Sequence, residues 1–488
     1  MTGGLIQLVS IGYEDLYLNA DPEITYFKMV YKRHTNFSQE PIIQMFNTSA
    51  DFGKRLTCSI AKTADLLSNM YIYVEIPELP KLGNKIDKFK WAKKLGYALI
   101  NYVELEINGQ LVDKLYGDWM NIWSILTIGE ERKSEDILIG NIPELYEPSN
   151  GKNSYKLYIP IDFFFSKNKG LALPLIALHL SDIKIHVEFN SLENVLIASP
   201  SHYIVIDEYI VHFKEGEILT QNISGVDVNI IFNSFDYITR RLYYTKYNES
   251  IQYYTSASKY LKTKYKLYNS DGYYVMPSTM ETSYTVAYPN VSLNTANMIV
   301  NFIYLDNLER KKFASSNHEY LISTLSYSGE QTVYNTHTKM KLSFVNPSKE
   351  LIWVCQFNKI KNGFIKDKFN YTSKLNNLGE NIITKNSIHQ NGQFRCMEED
   401  KYLYNYLINY LYHTGSVEEG INTYSYSLNP ESYQPKGSCN FSKIDDLIIE
   451  LTLSSLISYN NPALLRVYNY SYNVLRITDG LAGLTFVN

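Results

Sequence analysis

Apolar and polar residues alternate with a period of two in stretch after stretch of this chain, the pattern of strands with one wet face. The stretches include "NMYIYVEI" (69–76), "INYVELEI" (100–107), "DIKIHVEF" (182–189), "YIVIDEYIVHF" (203–213), "TKMKLSFV" (338–345), "ELIWVCQF" (350–357) and "DLIIELTL" (446–453). In the last, Leu447, Ile449, Leu451 and Leu453 share a face, and a Pro-Lys-Gly-Ser turn leads in. Between Ile107 and Gln110, the Asn108-Gly109 pair suits the positive φ angles of a type I′ hairpin. Many short strands with irregular links predict a sandwich or barrel.

Helical spacing is scarce. In "YGDWMNIWSIL", Asp118 is placed to cap a helix whose Trp119, Ile122, Trp123 and Leu126 form a buried stripe. A second short helix is expected from Asp21-Pro22-Glu23, and a third in "NLERKKFASSNHEYLI" (307–322). Residues 214–290, rich in Tyr, Asn, Ser and Thr, and 358–395, rich in Asn and Lys, have weak periodicity and read as long surface loops. At the carboxyl end, Val474, Ile477, Leu481, Leu484 and Phe486 are too apolar for a free tail. They predict a buried strand, with Gly480 and Gly483 permitting a reversal.

Composition narrows the class. A chain of 488 residues exceeds one ordinary core and implies roughly two to four domains. The 45% hydrophobic and 20% charged shares exclude global disorder, and 44 tyrosines favour strands and loops. A net charge of −4 supplies no electrostatic reason to seek nucleic acid or an anionic membrane, so partners are expected to be found by shape. Cys58, Cys355, Cys396 and Cys439 stand far apart without a CxxC pair and read as free thiols in a reducing compartment. The first residues lack a basic region before Glu14 and Asp15 and do not read as a signal peptide; "GLALPLIALHL" (170–180) is too short to span a bilayer.

Candidate chemistry is thin. There is no nucleophile elbow, zinc-protease helix, phosphate loop or dinucleotide fingerprint. The nine histidines (34, 179, 186, 202, 212, 318, 337, 389, 413) form no ligand-spaced set, and His186 shares a wet strand face with Lys184 and Glu188. The acidic run "MEED" (397–400) reads as a solvated loop before a cation site. "SKYLKTKYKLY" (258–268) mixes lysine and tyrosine as single-strand nucleic-acid binders do, but in an acidic chain an exposed basic ribbon is the plainer reading. No catalytic, cofactor-binding or metal-binding residue is assigned, and no cofactor is expected.

Longer stretches carry a resemblance. "GGLIQLVSIGYEDLYLNADPEITYFKMVYKRHTNF" (3–37), "VELEINGQLVDKLYGDW" (103–119), "YIPIDFFFSKNKGLALPLIALHLSDIKI" (158–185), "FIYLDNLERKKFASSNHEYLI" (302–322), "LSFVNPSKELIWV" (342–354), "GINTYSYSLNPESYQPKGSCNFSKID" (420–445) and "YNVLRITDGLAGLTFVN" (472–488) run from end to end. In this order they resemble the major capsid proteins of nucleocytoplasmic large DNA viruses. The resemblance implies an all-β double jelly roll, two eight-stranded antiparallel sandwiches with a few short helices, and no enzymatic activity. It implies a homotrimer forming a pseudo-hexagonal capsomer in an icosahedral virion shell assembled in the host cytoplasm. Implied partners are neighbouring capsomers, penton and minor capsid proteins; contact with an internal membrane layer would run through minor proteins, and no direct genome binding is expected.

The domains implied are an arm with a short helix (1–30), a first roll (31–312), a connecting helix (313–325) and a second roll (326–488). An insertion at about 190–301, as in the longer mimivirus-type members, is expected to add outward-facing strands and loops, with "YIVIDEYIVHF" still a strand of the body. Two alternatives stand beside this reading. One is a low-copy paralogue of the same fold. The other is a carbohydrate-binding or hydrolytic jelly roll, for which the Tyr-rich 214–290 segment is a candidate platform without an acid pair.

Overall fold

The computed structural model describes residues 34–83, 86–129, 132–223, 225–246 and 260–486, with isolated positions 6, 9, 12 and 13 before them. Apart from those isolated positions, the arm at 1–30, with the expected helix at Asp21-Pro22-Glu23, lies outside the described residues.

The first roll is built from β1 (Phe37–Gln44), β2 (Arg55–Ser59), β3 (Leu66–Ile76), β4 (Ile100–Ile107), β5 (Gln110–Tyr116), β6 (Tyr155–Ile161), β7 (Ile183–Phe189) and β8 (Thr295–Leu305). They pair as two four-stranded sheets, β1-β8-β3-β6 and β2-β7-β4-β5. The chain passes from one sheet to the other and its last strand returns beside the first, which is jelly-roll order. The alternating sequences do what their period predicts. In β7, Ile183, Ile185, Val187 and Phe189 are buried while Lys184, His186 and Glu188 are not. Asn108 and Gly109 take φ of 55° and 77°, closing the hairpin between β4 and β5.

The second roll repeats the plan with β9 (His318–Val333), β10 (His337–Leu342), β11 (Pro347–Phe357), β12 (Ile383–Gln390), β13 (Gln393–Asp400), β14 (Ile421–Ser425), β15 (Leu447–Leu453) and β16 (Ala463–Thr478). Its sheets run β9-β16-β11-β14 and β10-β15-β12-β13, and the short strands Cys439–Asn440 and Leu481–Leu484 extend the first of them. "ELIWVCQF" lacks true alternation for a structural reason. Leu351, Trp353, Cys355 and Phe357 fill the second roll's own core, whereas Ile352 and Val354 join the core of the first. Strand β11 is thus buried on both faces.

Three helices matter below: α1 (Gly117–Thr127), α2 (Asn307–Ser315) and α3 (Ile408–Tyr412). The connecting helix expected at 313–325 is instead α2, and residues from His318 onward are strand β9. The reason is period. Ile322 and Thr324 are buried while Leu321 is exposed, which a strand satisfies and a continued helix would not.

Other expectations need correction. Residues 358–395 are not all loop, because β12 crosses them: its polar sequence is accommodated by contacts such as Trp353 Nε1 donating to Asn386 Oδ1 at 2.8 Å. The carboxyl end is a strand and turn, but Leu481 and Phe486 are 50% and 43% exposed, and the reversal is made by Asp479 and Gly480 without Gly483. The insertion is more ordered than its composition suggests. Strands His202–Val205, Ile218–Ile223, Val226–Asp236 and Arg241–Lys246, with three two-residue strands, form a separate seven-stranded antiparallel sheet. It has its own core, including Ile204, Leu219, Ile230, Phe232, Leu242 and Leu267. "YIVIDEYIVHF" contributes only Tyr203–Val205 of the strand His202–Val205, which pairs within this sheet and not with the body.

Because Leu242 is fully buried in that separate core, Leu242→Ala is expected to remove about 2–5 kcal/mol of local stability. Hydrogen exchange should quicken within 202–283 while amides of β3 and β11 keep their protection; equal loss in the rolls would show a single cooperative unit.

Candidate functional site

The seam between the rolls holds buried charge, with Asp113, Glu350 and Arg466 among it. α1 follows β5 directly and is pressed onto the first roll: a Cβ on Gly117 would stand 2.2 Å from the Tyr97 carbonyl oxygen and 2.3 Å from that of Ile100. Trp119 and Trp123 stack at 5.3 Å and meet the second roll, Trp119 lying 5.5 Å from Tyr468 and Trp123 4.7 Å from Tyr470. Rings in such tilted arrangements contribute about 0.5–1.5 kcal/mol a pair beyond their burial.

Asp118 does not cap its helix. The N-cap residue is Tyr116, with no side-chain capping bond. Asp118 Oδ2 instead lies 2.9 Å from Arg466 Nη1 and accepts from the Tyr468 hydroxyl at 2.7 Å, and Oδ1 accepts from Tyr371 at 2.7 Å. A full buried guanidinium charge outcompetes the partial charges of a helix end. Arg466 is only 2% exposed, so leaving either partner alone would strand a charge in the seam.

At its other end α1 is capped by the second roll. Gly415 N donates to the Leu126 carbonyl at 2.7 Å and Ser416 N to that of Ile125 at 3.0 Å, satisfying groups that a helix end leaves open. A Cβ on Gly415 would stand 2.2 Å from the Ile125 oxygen. Just before this loop, His413 lies between Glu350 (Nε2 to Oε1, 2.7 Å) and Glu431 (Nδ1 to Oε1, 3.1 Å), with Trp123 edge-on at 6.4 Å. Burial opposes its charge, but the two carboxylates override burial and raise its pKa to about 9. Glu431 is held low: burial works against it, and bonds from His413 and Thr414 prevail. Asp113, deeply buried, is pushed up to about 7 although it accepts the backbone N–H of Leu325 across the seam at 3.0 Å.

Residues singled out in the sequence are dispersed. His186 accepts or donates between Thr57 and Glu106 at 2.9 and 3.0 Å on the wet face. In "MEED", Met397 is 71% exposed on the edge strand β13, and Asp400 accepts from the Tyr402 N–H. The lysine–tyrosine stretch is not a free ribbon, since Leu261 and Leu267 are fully buried in the inserted core and Lys266 lies over Tyr274 at 4.1 Å. All four thiols are unpaired, and burial raises those of Cys58 and Cys355 to about 11 and about 12. Among the described residues no group of three or more His, Cys, Asp or Glu side chains could hold a metal, and no helix is long and apolar enough to cross a membrane. The His413 triad and the Asp118–Arg466 pair were not legible from local sequence, because their members lie on different strands and loops.

Two family models divide the chain as the rolls do: residues 25–306 match the major capsid protein N-terminus, and 309–483 match the large eukaryotic DNA virus major capsid protein. The chain belongs to this capsid protein family. It is 39% identical to "Probable capsid protein 4" of Acanthamoeba polyphaga mimivirus, over 100% of this chain and 99% of that one. It is 29% identical to the major capsid protein of Phaeocystis pouchetii virus, with both chains fully covered. The Faustovirus major capsid protein superposes with a TM-score of 0.66 at 13% identity, covering 96% of this chain and 94% of that one. The capsid fold is thus a double jelly roll, and the relatives are structural proteins of the virion shell, not enzymes.

Two outcomes follow for the capsid protein's seam. Gly415→Ala should displace the loop from the end of α1 and cost about 1–3 kcal/mol, read as a fall in Tm; an unchanged Tm would mean the cap is dispensable. The seam should also be pH-dependent. His413, raised from 6.5 to about 9, contributes stability that is full below 6.5 and lost as pH climbs through 9. Asp113, raised from 3.8 to about 7, loses its contribution between those values. Glu431, lowered, loses its own in acid, below its ordinary 4.5. The wild-type Tm should fall between pH 6.5 and 9, and His413→Gln should flatten that limb.

Proposed function

We propose that this chain is the major shell subunit of a large DNA virus and that three copies close into a pseudo-hexagonal capsomer tiling an icosahedral shell. The observation that carries this reading is apolar surface on sheet edges. Edge strand β1 and the residue after it expose Phe37, Ile43 and Met45, edge strand β13 exposes Phe394 and Met397, the helical turn beyond β13 exposes Tyr402 and Leu407, and α3 exposes Tyr410 and Leu411. Unpaired edges with large apolar side chains are hazards for a free monomer and are covered in a closed ring of copies.

Penton, minor capsid proteins and neighbouring capsomers complete the partners, and the insertion is drawn on the exterior. Assembly in the host cytoplasm suits four unpaired thiols. The domain reading is an arm, a first roll carrying the insertion, a connecting helix and a second roll. It includes no catalytic, cofactor or metal site.

Native mass measurement of the recombinant protein tests the ring: a species near three times 56.5 kDa is expected, and a stable monomer at micromolar concentration would refute it. One observation favours a second reading, a low-copy paralogue. Identity is higher to a numbered mimivirus capsid protein than to the major capsid protein of Phaeocystis pouchetii virus, 39% against 29%. Copy number in purified particles separates the two, with hundreds of copies or more expected for the major subunit.

A further inference from the structure

Beside the seam, Tyr97 and Tyr116 of the first roll and Tyr327 and Tyr468 of the second line a cavity of about 380 Å³. Its charge is unbalanced. Lys361, Lys366, Lys368 and Arg466 line it, against two carboxylates, Asp118 and Glu330. Both carboxylates are engaged, Asp118 with Arg466 at 2.9 Å and Glu330 with Lys361. Lys366 and Lys368 are left with neutral oxygens: Lys366 with the Glu193 carbonyl and the Tyr288 hydroxyl, and Lys368 with the Ala98 carbonyl at 3.3 Å. The exposed Glu193 carboxylate adds a screened counter-charge near Lys366 only.

A second observation points to a missing acceptor. Arg466 Nε is buried without a hydrogen-bond partner, and Glu330 stands 3.9 Å from it, too far to accept. Buried donors of this kind are rare and costly unless a ligand or water meets them. The lysines also repel one another: burial first, and then Lys361 and Lys366, bring the Lys368 pKa down to about 8.

We propose that this cavity binds a tetrahedral oxyanion of the phosphate class, held by Lys366, Lys368 and the free Nε of Arg466. A dianion matches an excess of two positive charges, and its four oxygens can accept from ammonium and guanidinium donors at once. A monovalent halide would neutralise half the excess and offer no fork of acceptors. All the cations come from the second roll, while Tyr97, Asn101 and Asn190 wall the cavity from the first. A bound oxyanion therefore relieves repulsion within one roll at the surface where it meets the other.

The test is thermal unfolding of the full-length protein at neutral pH, titrated with sodium phosphate against sodium chloride of matched ionic strength. Phosphate is expected to raise Tm saturably beyond chloride, and the half-saturating concentration should rise about tenfold or more in Lys366→Gln/Lys368→Gln. A rise no greater than chloride's, or one unchanged in the double variant, would overturn the proposal. Equilibrium dialysis of the wild type against radiolabelled phosphate gives a reading that does not depend on the variant folding. About one phosphate per chain, displaced by sulfate and not by chloride, is expected; no retained phosphate, or retention that chloride abolishes, counts against a built site.

Discussion

The two-sided burial of the central strands β11 and β16 governs the rest of the molecule. One face closes the second roll's core through Trp353, Cys355 and Phe357; the other carries Ile352 and Val354 into the core of the first roll. Each such apolar side chain contributes about 1.5–3 kcal/mol on leaving water. Strands in that position have almost no wet face for polar residues, so those that remain need partners inside the protein. Arg466 finds Asp118, Glu350 finds His413, and Ser348 donates to Asn469 at 2.6 Å. The buried charges thus accompany the joining of the two rolls, and removing one member of a pair would strand the other.

Legibility in the sequence followed the range of the interaction. Strands β3, β7 and β15 were readable because one wet face and one dry face impose a period of two. The β4–β5 hairpin was readable because two adjacent residues suffice to make it. Asp118 was misassigned as a cap because its true partners are remote, Tyr468 being 350 positions away. β12 was missed because Asn386 and Ser387 are buried through hydrogen bonds and not through hydrophobicity, leaving no apolar signal. The seam's charges left no local pattern, whereas the long family motifs at both ends carried the fold class.

The insertion illustrates how tyrosine and asparagine can disguise a core. Its buried positions alternate with polar neighbours that pair within the same sheet, as where Thr245 donates to Asn233 at 2.8 Å. Lys246 and Glu281 form an ion pair that is itself nearly closed to solvent. Aromatic rings serve at both levels: Tyr244 is buried in the cluster while Tyr237 and Tyr209 are 69% exposed. A segment whose average hydropathy suggests loop can therefore sustain a sheet, provided that its polar groups find one another.

The capping of α1 by residues 414–416 also has a consequence in time. A ribosome delivers Trp119 and Asp118 about 350 residues before Tyr468, which at ordinary elongation rates is roughly 20–70 s. Through that interval the nascent first roll lacks Tyr468 and Tyr470, which meet its tryptophans, and for most of it lacks the Gly415 and Ser416 amides that cap its helix. The order of synthesis thus makes the seam one of the last surfaces of the first roll to be covered, since both its ring partners and its helix cap lie in the second half of the chain.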